Sequence, residues 1–148
     1  MPMQHLDENS AAVVKLANAI AQEAGLDYVG TEHILLAILR HGAGRGIEVL
    51  RGFGIDEARA RRTIDDIVQR DKEDTWVFGR LPGSPHFRNV MALAIDEAGQ
   101  FGSTQIGSEH LLLALLREKQ STGERALSKL GVSLKTARDA VAKLSETS

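Results

Sequence analysis

The chain has 148 residues, 18 Lys and Arg against 20 Asp and Glu, and a formal charge of −2 with five neutral histidines. A chain of this length buries roughly 70% of its unfolded surface, and its 43% apolar content is that of a globular protein. The balanced charge lacks the basic stripe that nucleic-acid binding requires. The absence of cysteine removes disulfides, thiol catalysis and cysteine-ligated metal centres, and no apolar run approaches the ~18–20 residues of a membrane span. The opening residues, Met1 to Glu8, are too polar for a signal peptide. The expectation is a cytoplasmic protein that needs no cofactor and no metal.

In chain order, residues 7–24 place Val13, Leu16, Ala17, Ile20 and Ala24 on one helical face, and Gly25 stops the helix. Thr31 is the expected N-cap of a second, strongly apolar helix carrying Ile34, Leu35, Ile38 and Leu39. The run Gly42-Ala43-Gly44 breaks it before a short third helix with Ile47 and Leu50. Asp56 caps a fourth, whose inward positions are Ala60, Ile64, Ile67 and Val68. The plan then repeats over 84–101, 108–118, 122–130 and 133–146, with Ser84 as N-cap and Pro85 at the first helical position. No segment alternates convincingly enough to be a strand.

Self-similarity decides the organisation. Gly30-Thr31-Glu32-His33-Ile34-Leu35-Leu36-Ala37-Ile38-Leu39-Arg40 returns as Gly107-Ser108-Glu109-His110-Leu111-Leu112-Leu113-Ala114-Leu115-Leu116-Arg117, 77 residues later. The same offset, held without a gap, pairs Val13 with Val90, Ala17 with Ala94, Gly46 with Gly123, Leu50 with Leu127 and Arg61 with Arg138. The prediction is therefore all-α: one domain over 1–148, built as two tandem four-helix repeats related by an approximate twofold axis. The first repeat covers 1–70, the linker 71–82 and the second repeat 83–148.

The doubled Gly-Thr/Ser-Glu-His-Ile/Leu-Leu-Leu segment, with Gly52-Phe53-Gly54-Ile55 and Lys129-Leu130-Gly131-Val132 after the short helices, resembles the Clp repeat. That repeat occurs twice in the N-terminal domain of ClpC- and ClpA-type AAA+ unfoldases. The resemblance spans essentially the whole chain. It implies an eight-helix domain above an ATPase ring that receives clients and adaptor proteins and passes clients toward a ClpP-type protease. The implied partners are unfolded or tagged clients, adaptors and Clp ATPase or protease subunits, with no nucleic acid and no membrane. The chain departs from the ClpC pattern at Leu6-Asp7 and Gly83-Ser84, which open the repeats, and at 41–44 and 118–121 after the second helices.

Two versions of that function are open: the N-terminal domain of a longer ClpC-like ATPase, or a stand-alone accessory or adaptor protein without a motor. The chain carries no Gly-x4-Gly-Lys-Ser/Thr phosphate loop, so no ATP binding is expected of it. His41-Gly42-Ala43-Gly44-Arg45-Gly46 follows no strand and reads as a helix connector. A rival of another class is a hydrolase built on Glu32-His33 and Glu109-His110. Adjacent helical residues point about 100° apart, however, and no His-Glu-x-x-His spacing is present, so no catalytic or metal-ligating residue is assigned.

The resemblance implies instead that Glu32 and Glu109 hold the guanidinium of phosphorylated arginine, with the phosphate near the hydroxyl residue that opens the first helix of the same repeat. The 77-residue offset matches Asp7 with Ser84, so the expected ligand residues are Glu109 with Ser84 and, as a weaker site, Glu32 with Asp7. Asp7 would cap its own helix and repel a phosphate. Trp76, Val77 and Phe78 in the linker either clasp the halves together or, through Trp76 and Phe78, anchor a protein partner. Arg59, Arg61 and Arg62, followed by Asp65 and Asp66, read as a solvated, salt-bridged face.

Overall fold

The computed structural model describes residues 5–26, 29–75 and 85–147. Among the described residues eight helices carry the fold: α1 (Glu8–Glu23), α2 (Thr31–His41), α3 (Arg45–Gly52), α4 (Glu57–Thr75), α5 (Pro85–Gln100), α6 (Ser108–Arg117), α7 (Thr122–Lys129) and α8 (Leu134–Thr147). The all-α expectation holds. One departure is a two-residue parallel bridge, β1 (His5–Leu6) with β2 (Gln105–Ile106), too short to show as an alternation in sequence. A second is α4, which runs through Thr75 into the stretch assigned to the linker, because 71–75 contains neither proline nor glycine to end it.

Helices shorter than about 12–15 residues are marginal alone, so packing must hold these together. The two most apolar, α2 and α6, form the centre: Ile34, Leu35, Ile38, Leu111, Leu112 and Leu115 are all fully buried. Leu35 and Leu112 are buried at matching places, as are Leu39 and Leu116. On α1, Val13, Ala17 and Ile20 face inward and Leu16 is half-buried. Ala24 is not on that face; it is the exposed C-cap, one turn beyond the last inward residue. Gly25 and Gly102 follow α1 and α5 with φ of +76° and +68°, where a side chain would be strained.

The short helices cross over between the halves. α3 packs on α6 and α8, and α7 packs on α2 and α4. Two hydroxyls hold the crossings: Ser108 Oγ accepts the Gly46 N–H at 2.9 Å, and Thr31 Oγ1 accepts the Gly123 N–H at 2.8 Å. Each satisfies an N–H at the start of a short helix that has no partner inside it. The backbones approach so closely that a Cβ at Gly46 would lie 3.0 Å from the Ser108 carbonyl oxygen, and one at Gly123 would lie 3.1 Å from that of Thr31. Glycine is required at both places. The recurrence of this contact 77 residues later is consistent with a duplicated plan.

Thr31 therefore does not cap its own helix, as its position suggested. Gly30 is the N-cap, in extended conformation, and the Thr31 hydroxyl serves the opposite half. Arg61 likewise pairs with Glu57, one turn earlier at 3.4 Å; with Arg62 exposed, the solvated face stands with that partner.

Candidate functional site

The Gly-Thr/Ser-Glu-His motif opens α2 and α6, and each of its residues has a separate task. The glycine N–H donates to the histidine Nδ1, at 2.8 Å for Gly30 and His33 and 2.9 Å for Gly107 and His110. In return each histidine N–H donates to the glycine carbonyl, at 3.1 and 3.0 Å. This reciprocal arrangement is a capping box with imidazole in place of Glu or Gln. The glutamate between them curls back over the glycine, so that a Cβ at Gly30 would collide with the Glu32 carboxylate and one at Gly107 with that of Glu109. Both carboxylates thus sit at the positive end of a helix.

Burial holds the His33 imidazole below its ordinary 6.5 against the opposing pull of Glu32. Burial does the same to His110, opposed by Glu109, Asp7 and Glu97, while the ring lies tilted against Phe101 at 5.9 Å between centroids. With folded pKa values depressed, the unfolded chain binds protons that the folded chain refuses. Stability is therefore complete above pH ~6.5 and falls as pH drops below it, by about 1.4 kcal/mol per unit for each histidine until its folded pKa is reached. Thermal unfolding between pH 7.5 and 5 should show this slope, and His33→Asn with His110→Asn should flatten it. An unchanged slope in the double variant would contradict the cap assignment.

Glu109 lines a polar cavity of about 590 Å³ together with Asp7, Asn9, Arg45, Glu48 and Ser108. Asp7 caps α1, accepting the Ser10 N–H on Oδ1 at 2.8 Å, as expected of it. Its placement is a correction: Asp7 belongs to the Glu109 cavity and not with Glu32. The cause is the β1–β2 bridge, which carries the start of α1 across to the start of α6. The Asp7 N–H donates to the Ile106 carbonyl at 2.9 Å, and the Ser10 hydroxyl donates to the same oxygen. The far oxygen, Asp7 Oδ2, lies 3.0 Å from where a Gly107 Cβ would be, beside Glu109 Oε1. Arg45 Nη1 stands 3.8 Å from Glu109 Oε2.

The other half differs. Beside His33 stands Glu32, and the 77-residue offset sets Arg125 where the Glu109 cavity has Glu48. Ser84, Trp76 and Phe78 lie outside the described residues. Among those described, no three acidic, imidazole or thiol side chains converge closely enough to hold a metal ion, and no helix is long and apolar enough to cross a membrane.

Sequence reasoning missed Glu97. It is fully buried in α5 between Arg117 Nη1 at 2.8 Å and Arg138 Nη2 at 2.7 Å, and Arg117 also reaches Asp96 at 2.6 Å. The signal was there: Glu97 falls on the face of Val90, Ala94 and Ala98 at helical spacing. The matching arginines of the other half, Arg40 and Arg61, find their acid on α4 instead, at Glu57, and Ile20 occupies the place of Glu97.

The start of α6 thus presents the Glu109 carboxylate beside a polar cavity in a helical fold. The model of the Clp repeat (R) N-terminal domain family matches residues 5–130 and again 82–147, and the chain belongs to that family. It is similar to the negative regulator of genetic competence ClpC/MecB of Bacillus subtilis (strain 168), 34% identical over 137 residues that cover 93% of this chain and 16% of that protein. It is also similar to the chloroplastic chaperone protein ClpC1 of Arabidopsis thaliana, 38% identical over 128 residues, 86% of this chain and 14% of that one. The chain thus spans about one sixth or less of the length of these relatives. Among solved structures the fold matches the N-terminal domain of ClpD from Arabidopsis thaliana (TM-score 0.76, 20% identity, 95% of each chain covered). It matches the Hsp104 N-terminal domain from Candida albicans as well (TM-score 0.73, 15% identity, 99% and 94% covered).

Proposed function

We propose that this chain is a non-catalytic recognition module that binds clients or adaptor proteins for a ClpC-like ATP-dependent unfoldase–protease. The observation that carries the reading is the family match across both halves, joined to a polar cleft at the start of α6. The motor and the protease belong, in this reading, to other sequence, in the same polypeptide or in a complex on which this chain docks as an adaptor. The setting is the cytoplasm. Affinity purification of the chain from its source cell should bring down Clp ATPase or protease subunits; their absence would contradict the reading.

Arginine-phosphorylated clients are included in the proposal, with the two glutamate positions ranked opposite to the order expected from sequence. Asp7 faces Glu109, so the repulsion between that acid and a phosphate falls on the Glu109 cleft. Like charges ~4 Å apart repel by about 1 kcal/mol in water and about 4 at an effective dielectric near 20, one to three orders of magnitude in affinity. Under the 77-residue correspondence the pair matching Asp7 and Glu109 is Ser84 and Glu32. Glu32→Ala should therefore remove most binding of free phosphoarginine in a calorimetric titration, Glu109→Ala little, and Asp7→Thr should strengthen it. A dominant loss from Glu109→Ala would overturn the ranking.

A further inference from the structure

We infer that the His110 cap of α6 is an acid-operated latch: protonation of the imidazole releases the start of α6 while the matching His33 cap of α2 still holds. The inference goes beyond the recognition reading and does not depend on it. Its basis is what the cap asks of the ring. His110 Nδ1 accepts the Gly107 N–H at 2.9 Å, so the neutral ring carries its proton on Nε2, and the residue is buried at 3% exposure. An imidazolium has two N–H donors and no acceptor. Protonation therefore turns a donor against the Gly107 N–H, and a buried N–H without an acceptor is costly. Burial disfavours the charged form of both rings while the caps are closed, so each proton taken up pulls toward the open form. Release reaches α3, because Ser108, next in the chain, holds the Gly46 N–H at 2.9 Å.

The two caps differ in what faces the ring. At Gly107 the Glu109 carboxylate is joined by Asp7 Oδ2, 3.0 Å from the place of a Cβ, whereas the three nearest atoms at the matching place on Gly30 all belong to Glu32. The charges acting on His110 come from separate elements: Glu109 on α6, Asp7 capping α1, Glu97 on α5 and, opposing them, Arg45 on α3. Glu97 itself lies between Arg117 and Arg138, and Glu48 lines the cavity from α3. The 77-residue correspondence sets Ser84 and Ile20 where Asp7 and Glu97 stand, and Thr122 and Arg125 where Arg45 and Glu48 stand. That exchange removes acids from the surroundings of His33 and adds a cation. A charged His110 thus has the Asp7 and Glu109 carboxylates to turn to once it lets go of Gly107, and the second half opens first.

The test is amide exchange with imidazole ring titration, both by NMR, on the full ¹⁵N-labelled chain between pH 7.5 and 5. Protection of the Gly107 amide should fall about tenfold per pH unit as His110 takes up its proton, and that of Gly46 should fall with it. Gly30 and the core amide of Leu115 should keep their protection over the range in which Gly107 loses its own. Asp7→Asn, which keeps the α1 cap, should move the Gly107 loss to lower pH. His110→Asn, whose side-chain oxygen can still accept from Gly107, should make Gly107 protection independent of pH. Constant protection at Gly107 while the His110 ring titrates would overturn the inference. So would loss at Gly30 or Leu115 together with or ahead of Gly107, or an unmoved transition in Asp7→Asn. Should His110→Asn fail to fold, the order of loss in the unsubstituted chain and the Asp7→Asn shift still decide it.

Discussion

Replacing Leu113 with aspartate is expected to abolish the native fold at room temperature. Leu113 is fully buried in α6, the helix on which α3, α5, α7 and α8 all pack. A carboxylate there must either be buried without a partner or be protonated, and both cost several kcal/mol beyond the lost packing. Against a total stability of about 5–15 kcal/mol, that exceeds what most domains of this size tolerate. Leu113→Ala, which only opens a cavity, should cost about 2–5 kcal/mol and keep the fold. Leu36→Asp, at the matching position of α2 with 4% exposure, should act like Leu113→Asp. Near-ultraviolet circular dichroism and amide dispersion would read the outcome; a cooperative thermal transition within about 2 kcal/mol of the parent would contradict the central place given to α6.

The second large effect is expected at Glu97. Removing one member of a buried ion pair typically costs 3–5 kcal/mol, because the charge left behind has no compensation. Here the arginines left behind are 25% and 37% exposed and Arg117 keeps Asp96, so Glu97→Ala should fall near the lower end, about 3 kcal/mol. Glu97→Gln keeps the volume but turns an amide donor toward a guanidinium, and should cost nearly as much. Glu97→Ile installs the residue that the other half carries at this place and should cost least of the three, because apolar packing can replace a buried ion pair at little net loss. Urea denaturation would order them. If the isoleucine variant were the least stable, the cluster would be worth more than its volume in hydrocarbon.

The helices were legible because their apolar residues recur at helical spacing and the Gly-Thr/Ser-Glu-His segment appears twice. What resisted reading was contact between distant parts of the chain. A two-residue bridge such as His5–Leu6 with Gln105–Ile106 has no sequence signal, yet it decides that Asp7 stands beside Glu109. The Thr31 hydroxyl looks like the cap of its own helix, and only the crossing of α7 turns it outward to Gly123, as that of α3 turns Ser108 to Gly46. His33 and His110 carry no assignment in the sequence; their role as caps depends on the glycine three residues earlier, a pattern readable as a capping box with histidine at its third position. Glu97 was visible as a charge on an apolar face, but its two arginines come from α6 and α8.

The proposed role, recognition of protein clients at the starts of α2 and α6, can be tested directly. The direct measurement is a titration of the full ¹⁵N-labelled chain with a permanently unfolded, arginine-containing protein, following every amide. Shifts are expected to concentrate at 30–33 and 107–110 and at the start of α3, weakened by Glu32→Ala and Glu109→Gln. Shifts confined to other surfaces, or none at saturating client, would contradict it.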